Sequence, residues 1–340
     1  MINFSNIEQT SKTHFLPENY NAIINPDTID LLTQDYQHDK PDKIMFTTDS
    51  CSAYSKSFTD RITPEFLAEN PTFAIPRIYK SLEERKLRTQ KKAEVFTPAW
   101  IVNKQCNIID DSWFSENLND ENHKQPFNTE NNDNTWTTTK EKINFSQYNK
   151  SPIDYIKSTR LEITCGESPY QVSRYNAVDG EFIPVQNRIG FLDRKLRVCN
   201  EIFDNEEEWL IAVWTAYCNT YGYEYQGDSL LVARLNLLYT LAENYEYKFH
   251  KPLTDKKTIE AIAEVISFNF WQMDGLTMCL PTDKEGFDHK WLNKGKTQKE
   301  TDKNKKTFEK WIDDNDLVCS KIMDWNEMKM VMFTTLINHN

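Results

Sequence analysis

The stretch Leu161-Glu-Ile-Thr-Cys-Gly-Glu-Ser-Pro-Tyr170 reads as a strand that breaks off at a tight turn: a short β-rich run, then a small Cys-Gly pair with an acidic residue behind it. At Gly166 the backbone can come close to a ligand, and a nearby carboxylate can accept hydrogen bonds from hydroxyl groups. About sixty residues on, Tyr221-Gly-Tyr-Glu-Tyr-Gln-Gly-Asp-Ser-Leu-Leu-Val-Ala-Arg-Leu-Asn-Leu-Leu238 repeats the design, with an acidic residue at a strand end followed by an apolar helix. A third strand is expected over Val265 to Gly275, with Asp274 at its end. In open parallel sheets ligands bind beyond the carboxyl ends of the strands. Glu162, Glu224 and Asp274 fall there, and the set suits a nucleoside: Gly166 for close approach, Glu224 for ribose hydroxyls, Asp274 for a base amine.

These residues need a scaffold. From Tyr155 onward, strand and helix signals alternate, the pattern of a parallel sheet with covering helices. Apolar spacing predicts amphipathic helices over 190–202 and 205–220, a helix over Ser229 to Tyr245 with Asp228 as its N-cap, and a helix near Lys257 to Ala263. Leu317 to Trp325 and Met330 to Leu336 read as two last short strands. Residues 1–92, broken by Pro17, Pro26, Pro41, Pro64, Pro71 and Pro76, read as an irregular arm with short helices; 93–340 form the α/β domain. Polar stretches near 114–150 and 282–306 read as exposed loops.

Composition limits the partners. The chain has 340 residues and a formal charge of −12, which keeps it soluble and opposes wrapping by a phosphate backbone. Nucleic-acid contact then needs a local patch, and the one strong basic cluster holds Arg85, Lys86, Arg88, Lys91 and Lys92. It serves either as a phosphate contact or as a solvated helix end. Seven cysteines lie scattered with no C-x-x-C pair, so neither a zinc site nor a disulfide framework is expected, and a reducing cytoplasm fits best. No signal peptide or membrane span is read.

With these residues in hand, the chain resembles the adenine-specific DNA methyltransferases of the gamma arrangement, including modification subunits of restriction systems. Leu161 to Tyr170 is similar to their S-adenosylmethionine-binding motif L-E-P-x-C-G-x-G-x-[FL]. Glu94-Val-Phe-Thr-Pro-Ala-Trp-Ile-Val102 is similar to the preceding V-[FY]-T-P-x-x-[IV]-[VA], and Tyr223 to Leu237 is similar to the second motif, G-x-E-[IL]-x-x-x-[AL]-x-x-[AL]-A-x-x-N. The four motifs, ending at Gln272-Met-Asp274, cover roughly residues 88–275. The resemblance implies a Rossmann-like methyltransferase fold with a mostly parallel sheet. It also implies S-adenosylmethionine held by Thr97, Glu162, Cys165, Gly166, Glu167, Glu224 and Asp274, DNA as partner, and a companion restriction or specificity subunit.

The departures carry equal information. Ser168 replaces a glycine and Ile163 a proline of the motif, and the catalytic tetrapeptide [NDS]-P-P-[YFW] is absent. Asp324-Trp325, within Lys321-Ile-Met-Asp-Trp-Asn326, is the one polar-aromatic strand end at about the right order. A catalytically inactive cofactor- or DNA-binding subunit, or one half of a split methyltransferase, therefore stands beside the full enzyme. Asp193-Arg-Lys195 has the D-x-K form of a nuclease site but is expected on a solvated helix face. Cys165 is expected as a buried thiol, and Trp100, Trp209, Trp214 and Trp271 as packing residues.

Overall fold

In the computed structural model of the chain, residues 23–40, 42–82, 97–115, 125–282 and 317–337 are described, with 85, 86, 89, 310, 313 and 314 as isolated positions. In chain order the elements are α1 (Pro26–Thr33), the hairpin β1 (Gln34–Asp35) and β2 (Asp42–Lys43), α2 (Pro64–Glu69), α3 (Ala99–Ser115), the hairpin β3 (Asn128–Glu130) and β4 (Trp136–Thr138), α4 (Pro152–Lys157) and β5 (Arg160–Glu162). Then follow α5 (Phe191–Ile202), α6 (Glu206–Cys218), β6 (Thr220–Glu224), α7 (Gly227–Phe249), α8 (Lys256–Asn269), β7 (Phe270–Gln272), the hairpin β8 (Lys321–Asp324) and β9 (Lys329–Met332), and α9 (Phe333–Ile337).

The fold is mixed α/β around a small parallel sheet of three strands in the order β5-β6-β7, in register Leu161↔Tyr221 and Tyr223↔Trp271. Side chains alternate across a strand. Tyr221, Tyr223, Trp271 and Met273 therefore share one face, which β8 and α9 cover with Ile322 and Phe333. Phe270 turns to the other face and the main core, where it meets the buried flanks of α5, α6, α7 and α8. α7 is apolar on nearly every side because the sheet, α8 and the N-terminal segment all pack against it.

Several elements differ from expectation, each for a visible reason. Val265 to Asn269 is helix rather than strand, since Ile259, Ile262, Ala263, Val265 and Ile266 bury one continuous face and only Phe270–Gln272 remain for β7. Asp228 is not the N-cap of α7; that place is taken by Gln226, and Asp228 lies in the first turn. Met330 to Leu336 divides into β9 and α9. Part of the expected 114–150 loop folds as the β3–β4 hairpin, whereas 283–309 lies outside the described residues.

The described part of the N-terminal segment, residues 23–40 and 42–82, packs into the main core. Leu32, Ile44, Phe46, Ile62, Phe66 and Phe73 belong to the same apolar cluster as the sheet helices. Met45 to Thr47 crosses the ends of β6 and β7: the Gln272 amide accepts from Met45 N (2.6 Å) and donates to Met45 O (3.0 Å), and Gly227 N donates to Phe46 O (3.0 Å). A Cβ on Gly227 would lie 1.9 Å from Met45 O, so this crossing requires glycine. No helix among the described residues is long and apolar enough to cross a membrane.

Candidate cofactor site

The turn after β5 folds back onto the end of β6. Thr164, Gly166 and Ser168 have φ of 46°, 55° and 64°, left-handed values that coil the chain tightly enough for Cys165 N to reach Tyr223 O at 2.8 Å. Gly166 N then donates to Glu224 Oε2 (2.8 Å), while Tyr225 N and Gln226 N donate to Oε1 (2.9 and 3.1 Å). The strand order thus brings the glycine of the first motif and the carboxylate of the second into direct contact. Met273 N donates to Glu224 O at 3.1 Å, which sets Asp274 one residue further, at the end of β7. Asp274 is half-buried and accepts from Leu276 N (2.8 Å).

Glu162 holds the turn from beneath. It accepts from Ser168 Oγ (2.9 Å) and Tyr170 N (3.2 Å), and burial pushes its carboxyl up to about 8, with Glu224 adding to the rise. At neutral pH it is mostly protonated. A non-glycine residue in the left-handed region costs about 1–2 kcal/mol. Ser168 offsets that cost through the Glu162 hydrogen bond, so serine keeps the turn that the glycine of the motif would make.

Other expected ligands are engaged elsewhere. Glu167 accepts from Arg77 N and from Tyr175 Oη (2.6 Å), and Lys80 Nζ reaches Asp228 Oδ2 at 2.7 Å, with both side chains buried. Residues 77–80 therefore strap the loop after β5 to the first turn of α7, a role that no local sequence signal gave. Cys165 is buried, and its thiol is pushed well above the usual range by desolvation, as expected for an inert thiol. Thr97 stands half-buried before α3, and the Tyr170 hydroxyl donates to Gln105 Oε1 on that helix.

Asp324 and Trp325 are not brought to this site. Trp325 Nε1 donates to Asn269 Oδ1 (2.8 Å), Asn269 Nδ2 donates to Thr220 O (3.1 Å), and Tyr221 Oη donates to Met323 O (3.0 Å). All of these lie at the amino ends of the strands, roughly 13 Å of β6 from Glu224 at about 3.3 Å per residue. Asp324 instead closes its hairpin turn by accepting from Asn326 N and Glu327 N. Of the basic cluster, Arg85 is half-buried and Lys86 exposed; Arg88, Lys91 and Lys92 lie outside the described residues. Trp209 and Trp271 are core residues, but Trp214 is 39% exposed.

Asp193-Arg-Lys195 does not lie on a solvated helix face. All three side chains are buried: Asp193 accepts from Ser173 N (2.7 Å), Arg194 Nη1 pairs with Asp110 (2.6 Å), and Lys195 Nζ donates to Ser158 O and Asn219 O (2.6 and 2.9 Å). The polar letters disguised a helix packed on all sides.

The carboxyl end of the sheet is thus rich in acceptors. The side-chain amide oxygen Oε1 of buried Gln226, two residues past Glu224, has no hydrogen-bond partner among the described residues. Glu224, Gln226 and Asp274 present acceptor oxygens that suit hydroxyl and amine donors, and the carboxylates disfavour a phosphate. No protein family, curated protein or solved structure matches the chain.

Proposed function

We propose that the chain is a DNA adenine methyltransferase-like protein with a Rossmann-like fold that takes S-adenosylmethionine at the carboxyl ends of β5, β6 and β7. The observation that carries this reading is the contact of Glu224 with Gly166, made by strands in the order β5-β6-β7. Glu224 is the ribose ligand, Asp274 the acceptor for the adenine amine, and the turn at Gly166 cradles the methionine end. A sulfonium and an ammonium group suit the carboxylates gathered at this end of the sheet. Calorimetric titration with S-adenosylmethionine tests it: Glu224→Ala is expected to weaken binding by about 1–3 kcal/mol, the usual loss for a charged hydrogen-bond partner. Unchanged affinity in a folded variant removes Glu224 from the site.

The second reading, a catalytically silent binding subunit or half of a split enzyme, is favoured by one observation: Asp324 and Trp325 lie at the wrong end of the strands to hold a target base. Effective positioning supplies about 7–11 kcal/mol of barrier reduction in such reactions. The purified chain alone is therefore expected to transfer little tritiated methyl to mixed-sequence duplex DNA. Robust turnover would restore the complete enzyme, with the Arg85–Lys92 region as its DNA contact.

A further inference from the structure

Just beyond Asp274 the chain turns back and forms single antiparallel bridges, Asp274 with Cys279 and Cys279 with Cys319. Leu280 N donates to Val318 O (2.8 Å) and Ser320 N to Met278 O (2.9 Å). These bonds flank the cysteines and leave Cys279 and Cys319 as a directly opposed pair without hydrogen bonds between their own backbones. Such pairs bring Cα atoms to about 4.5 Å, inside the roughly 4.4–6.8 Å that a disulfide spans. Their Sγ atoms are 3.6 Å apart.

We propose that Cys279 and Cys319 form a reversible disulfide, a redox-modification site at the edge of the sheet's carboxyl end. Cys106, Cys165, Cys199 and Cys218 are pushed up by burial, and Cys279 by its hydrogen bond with Cys319 and by burial. Cys279 is fully buried and Cys319 half-exposed. The hydrogen bond shared with Cys279 draws Cys319 down to about 7, and with Cys279 buried and Cys319 half-exposed, Cys319 is the nucleophile that meets solvent. Its thiolate attacks one sulfur of a low-molecular-weight disulfide and displaces one thiolate. Cys279 then gives up its proton and attacks the Cys319 sulfur of the mixed disulfide, displacing the second. Two protein thiols are oxidised and one small disulfide is reduced to two thiols. The product closes a loop between residues forty positions apart and pins the chain before β8 to the turn that carries Asp274.

The test uses the native full-length chain in excess oxidised glutathione, read by intact mass and peptide mapping after thiol blocking. The expected result is a loss of about 2 Da, with a single 279–319 cross-linked peptide that dithiothreitol reverses. Cys319→Ser should abolish the cross-link, and Cys279→Ser should trap a glutathione adduct at Cys319 while circular dichroism and melting temperature show a folded chain. A wild-type chain that stays fully reduced, or that cross-links through other cysteines, overturns the proposal. The outcome is independent of whether the chain binds S-adenosylmethionine.

Discussion

The two ends of the parallel sheet solve the same problem with opposite chemistry. At the amino ends, buried donors reach backbone carbonyls: Lys195 to Ser158 O and Asn219 O, Asn269 Nδ2 to Tyr217 O and Thr220 O, and Arg234 to Leu32 O, Gln34 O, Ser267 O and Phe270 O. At the carboxyl ends, buried acceptors take backbone N–H groups: Glu224 from Gly166, Tyr225 and Gln226; Glu162 from Tyr170; Glu167 from Arg77; and Gln272 from Met45. The first set ties elements together across long sequence distances and is a foundation. The second concentrates acceptors around a turn of unusual backbone and suits donors arriving from outside.

The comparison breaks most visibly at Asp110. This buried carboxylate accepts from Tyr155 Oη (2.9 Å), Arg160 Nη2 (3.0 Å) and Arg194 Nη1 (2.6 Å), so Asp110→Ala strands two guanidinium groups in the core. Removing one partner of a buried pair costs about 3–5 kcal/mol. Urea unfolding is expected to show that loss; a change below about 1 kcal/mol would mean that the amino end is no foundation.

Sequence patterns made the carboxyl end more legible than the amino end. Strand ends at Glu162 and Glu224 follow from alternation that stops at small residues, and 190–202 and 205–220 follow from helical spacing, to within two residues of α5 and α6. Charged letters, by contrast, read as solvent-facing. Nothing near Asp193, Arg194 or Lys195 reveals that Asp110, Ser173 and two distant carbonyls wait for them. The crossing of Met45 to Thr47 was equally hidden, because its partners lie some 180 to 227 residues away.

A second prediction sharpens the contrast through pH. Glu162 has its carboxyl raised from 4.5 to about 8. Between these values the folded chain holds a proton that the unfolded chain has lost, so stability falls as pH rises, by about 1 kcal/mol per pH unit. Glu162→Gln imitates the protonated form, keeping an acceptor for Tyr170 N and offering a donor to Ser168 Oγ. Chemical denaturation at pH 5 and pH 8 should therefore show a flatter profile in the variant. An unaltered slope would show that Glu162 is already ionised in the fold.

The smallest effect is expected at Ser168. Ser168→Ala keeps the left-handed backbone cost and loses the Glu162 bond, for about 1–2 kcal/mol; Ser168→Gly loses the bond but relieves the backbone and should cost less. Equal losses in the two variants, compared by thermal unfolding, would remove backbone strain from the account of this turn.

The crossing of Met45 to Thr47 also sets an order of events in time. Contacts between residues so far apart in sequence form late, because a long loop must close before they yield anything. On the ribosome, the segment around Phe46 can seat itself only after Gly227 and Gln272 have emerged, some two-thirds to four-fifths of the way through the 340-residue chain. Until then Ile44, Phe46 and Ile62 can pack only within their own segment, as Phe46 does against Phe66 and Phe73. The first described segment of the chain is thus among the last to be fixed, and the acceptor-rich end of the sheet is completed only once Gln272 has been made.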